Sequence, residues 1–402
     1  MGRVNLKVAI PAESSASPLL TKEFTLLCAA TALGYAHNAL LTPVLPLFIK
    51  KQGGAASVVG LVTAAFSVTS FAFRPFIGRA ADQWNSKGVM ILGTLALGFC
   101  GLGYLIYDAL LLFILRAVHG VGWAAYNTVS KVLVSATAPV ERRGEAAGYY
   151  SMAQSVASAL VPAIALWLLA LTSFSAVFAI SAAAGFLATL VTLAMAIKQQ
   201  EPAVRSKERF WDSLIERSVL TPSLLEFLTK ITQPASAIFI PLYAVNRGIA
   251  VESLPYYYLS YGLAGIGARG VLGRLSDSVG RPWAITSGIT ASAAALVLTS
   301  QAQNIAWLAM GGMLFGLGTA ASGPAIMALA IDKAPQERLG SAMATYSMAF
   351  QLAQGAGGLV GGLLIDGLGY QAMYLLMILP MLAAQLIVIR RGKTLSKVPV
   401  TS

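Results

Sequence analysis

Twelve apolar runs, each long enough to cross a bilayer, constrain this chain more than any other feature. A spanning helix needs about 20 mostly apolar residues. Windows of that kind fall near 24–49, 57–78, 88–107, 109–135, 145–170, 174–197, 219–245, 254–275, 282–301, 305–331, 341–365 and 370–390. Only 11% of the 402 residues are charged, against roughly 25% in an average soluble domain. The chain is therefore expected to be an all-α membrane protein whose solvent is the lipid bilayer.

Lysine and arginine set the orientation. With both termini cytoplasmic, 23 of the 28 basic residues fall in the tails and cytoplasmic connections, and only Lys50, Lys51 and Arg247 fall opposite. The sequence thus predicts a multi-pass protein of the cell inner (plasma) membrane. Its expected parts are a cytoplasmic tail (1–23), a six-helix bundle (24–197), a charged cytoplasmic loop (198–218), a second bundle (219–390) and a cytoplasmic tail (391–402). The net charge of +12 punctuates apolar runs and forms no single patch, which argues against nucleic acid. Cys28 and Cys100 lie inside apolar runs with no disulfide or metal-ligand spacing. No short apolar region with a cleavage site precedes the first span, so no removed signal peptide is expected.

The two bundles repeat one another. Arg74–Asp82 aligns with Arg269–Asp277 at an offset of 195, as do Pro46, Leu47 and Gly53 with Pro241, Leu242 and Gly248. Gly120 and Gly122 align with Gly316 and Gly318, and Tyr150-Ser-Met-Ala with Tyr346-Ser-Met-Ala, at 196. Two parallel six-helix repeats imply pseudo-symmetric bundles around an axis along the membrane normal, a binding site near the midplane between them, and transport by alternating access.

These residues resemble the major facilitator superfamily over nearly the whole chain. The family's loop signature, Gly-x-x-x-Asp followed by Gly-Arg or Gly-Lys, is matched by Gly273, Arg274, Asp277, Gly280 and Arg281, and in the first copy by Gly78, Arg79, Asp82 and Lys87. Asn85 stands where glycine would make a tight turn at positive φ, a conformation asparagine tolerates. The resemblance implies that Asp82 and Arg79 latch the cytoplasmic side in the outward-facing state. The run Leu112-x-x-Leu115-Arg116-x-x-His119-Gly120 resembles the arginine motif of the fourth helix in drug:proton antiporters. The glycine run expected around the proline of the fifth helix is absent at Pro162 and appears instead as Gly355, Gly357, Gly358, Gly361 and Gly362 in the eleventh.

Charges inside the membrane cost roughly 2.5–3.5 kcal/mol each on an insertion scale. At 100° per residue, Arg116, His119, Trp123, Asn127, Ser130 and Lys131 fall within about 120° of arc, so the stripe is expected to face the bundle interior or cavity. The second-half counterparts of Arg116 and His119 are Gly312 and Phe315, so the fold alone does not require them. Imidazole titrates near neutrality, which would suit His119 to a proton step. His37 and Asn38 precede Pro43 and Pro46, and Asn38 aligns with Gln233 beside Pro234, at bends expected of cavity-lining helices. Glu226 and Lys230 have helical ion-pair spacing; Glu226 is also the acid placed within the membrane and a candidate coupling carboxylate. Most of Tyr256, Tyr257 and Tyr258 are expected to be interfacial anchors, and Tyr261 to lie deeper.

The expected function is proton-coupled efflux of a small amphipathic drug or metabolite by a monomer. The alternative is import or facilitated passage of an organic anion, with a metal chelate as a weaker variant. No nucleophile–base pair, metal-ligand set or nucleotide fingerprint is visible, so neither an enzyme nor a cofactor is expected.

Overall fold

The computed structural model describes residues 21–81, 85–106, 108–138, 142–196, 215–335 and 338–395, except the side chains of 135–136, 143–144, 273–274, 276–278, 340 and 392–395. Among the described residues every regular element is helical. The first six spans are α1 (Lys22–Lys51), α2 (Ala56–Ala80), α3 (Ser86–Gly103), α4 (Ala109–Thr137), α5 (Arg143–Leu171) and α6 (Phe174–Ala194). Span seven is broken into α7 (Leu220–Lys230), α8 (Gln233–Ala237) and α9 (Ile240–Asn246). Spans eight to ten are α10 (Pro255–Val279), α11 (Arg281–Ser300) and α12 (Ile305–Lys333). Spans eleven and twelve are α13 (Leu339–Leu376), which turns at Gly369, and α14 (Ile378–Leu395).

Short polar side chains start five of these helices. Thr21, Asn85, Asp108, Ser173 and Asn304 each accept the backbone N–H three residues on, satisfying donors that a helix leaves open at its start. Asn85 corrects the sequence reading. Its φ is −163° and its side chain caps α3, whereas the aligned Gly280 does take a positive φ of 107°. The amide oxygen accepts from the Gly88 N–H at 3.1 Å, a bond glycine has no side chain to make, so the two copies solve one turn differently.

The duplication is visible in the packing. In the first half α1 packs on α5 and α6, α2 on α4, and α3 on α4 and α6. In the second, α7 packs on α13 and α14, α10 on α12, and α11 on α12 and α14. Between halves, α2 meets α13 and α5 meets α10, two contacts that a twofold exchange of the bundles interconverts. The likeness extends to single atoms: a Cβ on Gly120 would strike the Phe66 carbonyl, and one on Gly316 the Tyr261 carbonyl. Only glycine lets those helix pairs approach so closely.

The start of α1 and the end of α14 share one side, called here the tail side. The connections α1–α2 and α9–α10 share the other, the far side. On the far side Asp366 of α13 accepts the N–H groups of Ala56 and Ser57 at 3.0 and 2.8 Å, capping α2 across the two halves. Gly362, Gly358 and Gly355 then lie against Ala56, Thr63 and Ser67 of α2, and Gln351 donates to Ser70 at 2.7 Å. Gly357 and Gly361 instead meet Ile231 and Phe239 of span seven. The glycine run of span eleven thus serves two interfaces, sealing the halves together on one face and admitting the broken span on another.

Candidate functional site

Between the halves lies a cavity of ≈ 2410 Å³. Its lining reaches Gly78, Arg79 and Ala81 at the end of α2, Ala147 in α5 and Ser341 in α13, all toward the tail side, while toward the far side the halves meet along α2–α13 and α5–α10.

Of the residues singled out from the sequence, Arg116, Trp123, Asn127, Asn38, Glu226, Lys230, Gln233, Gly78 and Arg79 line this cavity. His37 and His119 do not; both have no exposed surface. The α4 stripe therefore divides. Trp123, Asn127 and Lys131 join Arg116 at the cavity wall, but His119 turns into the first bundle and Ser130 bonds the Tyr150 hydroxyl at 2.7 Å. Helical spacing puts all six on one arc, and neighbouring helices cover the edge that carries His119 and Ser130 while Lys131, at the other edge, stays on the cavity wall.

The buried cluster behind Arg116 is a directed chain of hydrogen bonds. His37 Nδ1 stands 2.8 Å from the Ser181 carbonyl oxygen, which can only accept, so Nδ1 carries the proton. In a neutral ring His37 Nε2 is then an acceptor, and His119 Nε2 donates to it at 3.3 Å. That leaves His119 Nδ1 to accept from the Tyr104 hydroxyl at 3.0 Å and from Arg116 Nη1 at 3.3 Å. Every bond is satisfied with both imidazoles neutral, and the positive charge of the cluster is the guanidinium's. Arg116 also stacks on Phe66, 4.5 Å from the ring centroid. Tyr104 and Ser181 give no signal in sequence; Tyr104 is the residue that ends α3, and Ser181 comes from α6.

Span seven breaks where its prolines stand. Pro241 removes the donor that would have met the Ala237 carbonyl, and the Tyr258 hydroxyl replaces it at 2.7 Å. Tyr257 donates to the Ser236 carbonyl at 2.6 Å and Tyr374 to that of Ala235 at 3.1 Å. Tyr257 and Tyr258 are thus buried, correcting their reading as interfacial anchors; Tyr256 alone of the run is exposed. Nearby, Gln354 donates to Gln233 at 2.9 Å, joining spans seven and eleven at the cavity wall.

Glu226 is 4% exposed, and its Oε2 has no hydrogen-bond partner. Lys230 and the Tyr346 hydroxyl are its electrostatic neighbours. No ion pair within 4.0 Å joins Glu226 to Lys230 among the three pairs found in the described residues, so helical spacing did not close into contact. Arg74 and Arg269, counted from sequence as cytoplasmic signals, also line the cavity at equivalent places, and Arg269 donates to Ser155 of the other half at 2.5 Å. Of the loop motif, Asp82 and the side chains of Gly273, Arg274 and Asp277 lie outside the described residues. Arg281 pairs with Asp332 of α12. Lys87 donates to the Leu193 and Met195 carbonyls at 2.9 and 2.7 Å, closing the end of α6.

A family model of the Major Facilitator Superfamily matches residues 27–291 and 223–400. The chain belongs to the Major Facilitator Superfamily. Among its relatives is a multi-drug resistance efflux pump, PmrA, of Streptococcus pneumoniae, 26% identical over 355 residues and covering 84% of this chain and 88% of the pump. A PmrA homolog of Lactococcus lactis is 25% identical, covering 83% and 86%. A crystal structure of a POT family transporter with 5-aminolevulinic acid superposes with a TM-score of 0.76 at 12% identity, over 93% of this chain and 96% of that one; at that identity the likeness is one of fold. The superfamily assignment makes this protein a non-enzymatic transporter of small molecules and its cavity the candidate passage.

Proposed function

We infer that the protein exports a small amphipathic organic compound across the plasma membrane in exchange for protons. With both termini cytoplasmic, as the basic residues favour, the tail side is the cytoplasm and the structure is the inward-open state of an alternating-access cycle. The observation that carries the coupling is Glu226, a buried carboxylate on the cavity wall with one oxygen unpartnered and a cation one turn along α7. Such a group gains or loses a proton as substrate charge and access change around it. His119, sealed behind Arg116 with all its bonds made, does not serve this role in the proposal. Arg116, Trp123, Asn127, Asn38, Lys230 and Gln233 form the substrate surface. The efflux pumps among the relatives support export as the direction.

The test is uptake of a fluorescent aromatic compound into inside-out vesicles, with and without an imposed proton gradient, as wild type and Glu226→Gln. Gradient-stimulated uptake by wild type and its loss in the variant are expected. Flux that ignores the gradient removes coupling, and net movement in the opposite direction favours the importer reading.

A further inference from the structure

The cavity wall is strongly unbalanced in charge. Among the described residues Arg74, Arg79, Arg116, Lys131, Lys230 and Arg269 line it, against the single acid Glu226. None of those six cations is in the ion pairs found there, which use Arg142, Arg281 and Arg338. Arg116 is the extreme case. It is 92% buried by its 8% relative exposure, its charge meets only neutral groups, and its Nε has no partner. Burying a cation without an anion is costly, and a site that needs only packing or a carbonyl clamp could use a neutral donor. Nearer the tail side the pattern repeats. Arg74 and Lys131 are close enough to repel each other, and the Nε of Arg74 is also unpartnered.

Around these cations the wall is aromatic. Phe66 underlies Arg116, Trp123 stands 6.3 Å from Phe66 between ring centroids, and Tyr35 stands 5.0 Å from Trp123. Asn127 donates to the Tyr35 hydroxyl at 2.7 Å. On α4 the fifteen-residue step from Arg116 to Lys131 is about 22 Å of helix, too long for one small molecule to bridge. The two cationic places are successive stations.

We propose that the transported compound is an amphipathic organic anion whose acidic group pairs with Arg116 at the deep end of the cavity, with its apolar body against Phe66 and Trp123, and that Arg74 and Lys131 receive the same acidic group first. The His119–His37–Ser181 chain acts as a positioning unit: an acceptor at His119 Nδ1 fixes one edge of the guanidinium and leaves its remaining N–H groups for a bidentate carboxylate.

This rests on the export reading, and its test is built to fail separately. Binding of naphthalene-2-acetate, its methyl ester and its amide to the purified full chain is measured by calorimetry with no gradient present. The acid is expected to bind at least tenfold more tightly than ester or amide. Arg116→Gln is expected to remove most of that preference, what is left being the share of Arg74 and Lys131, and Arg116→Lys to keep more of it. Equal binding of acid and ester to wild type overturns the proposal, as does a preference of undiminished size in folded Arg116→Gln protein. If Arg116→Gln does not fold, the wild-type comparison of acid with ester decides alone: a tenfold preference supports the proposal, and no preference overturns it. Equal vesicle flux with and without a gradient would remove proton coupling and leave the anion preference standing.

Discussion

The far-side seal should be adjustable by a single methyl group at Gly60. A Cβ there would land on the Gly358 carbonyl oxygen and 3.1 Å from both Gly358 C and Leu359 Cα. All three atoms are backbone of α13, so no side chain can turn aside, and relief requires α2 and α13 to part. Forcing one extra carbon into a packed seam costs about 1–3 kcal/mol. The seam exists only while the far side is closed, so the cost falls on that state and shifts the balance toward far-side opening by roughly 5- to 150-fold. The assay places a cysteine at Val62, which is 3% exposed and lines the cavity, in a chain with Cys28→Ser and Cys100→Ala. A membrane-impermeant maleimide is then added from the far side. Gly60→Ala is expected to raise the labelling rate at least fivefold. Gly148→Ala, where no atom lies within 4 Å of the new carbon, should leave it unchanged. An unaltered rate in folded Gly60→Ala protein would refute the reasoning, because the strain would then have been absorbed without separating the halves.

Two further perturbations read the network and the caps. Tyr258→Phe strands the Ala237 carbonyl that Pro241 has already deprived of a donor, which should cost about 1–3 kcal/mol and lower the midpoint of thermal unfolding in detergent. Lys87→Met frees the Leu193 and Met195 carbonyls; it should cost roughly 0.3–1 kcal/mol and speed hydrogen exchange in the last turn of α6 while leaving α3 protected.

Much of this architecture was legible in sequence because lipid leaves few options. Apolar runs of spanning length marked the spans, and the 195–196 offset marked the pairs of helices that pack alike. What escaped were distances between residues remote in sequence. The α4 stripe gave the direction of Trp123, Asn127 and Lys131, but helical phase does not say which neighbours cover an edge. His119 is covered by Phe66, Tyr104 and His37 from three other helices. Glu226 and Lys230 had ion-pair spacing, yet rotamers and the Tyr346 hydroxyl, not spacing, decide whether such a pair closes. Tyr257 and Tyr258 share the composition of an aromatic belt; only the Ser236 and Ala237 carbonyls at the break of span seven, which their hydroxyls reach, distinguish them. Loop ends and cavity mouths adjoin, so Arg74 and Arg269 carry the sequence mark of orientation signals while lining the cavity.

The divergence between the copies explains why one half holds a guanidinium where the other holds a break in span seven. His119 meets Phe66 ring to ring at 5.1 Å, and its counterpart Phe315 meets Tyr261, the counterpart of Phe66, at 6.1 Å. The scaffold is the same; the chemistry is not. Where Arg116 fills the first half, Gly312 stands in the second, and a Cβ there would come within 2.9 Å of the Tyr257 ring. The volume that one copy gives to a guanidinium, the other gives to a tyrosine that reaches the Ser236 carbonyl in the break of span seven. Neither arrangement fits both halves. An arginine at 312 would evict Tyr257 and leave the broken span unsatisfied, and a tyrosine at Val62, the counterpart of Tyr257, would crowd Arg116. Duplication followed by this exchange places a wall with a buried guanidinium opposite a wall that contains a broken span.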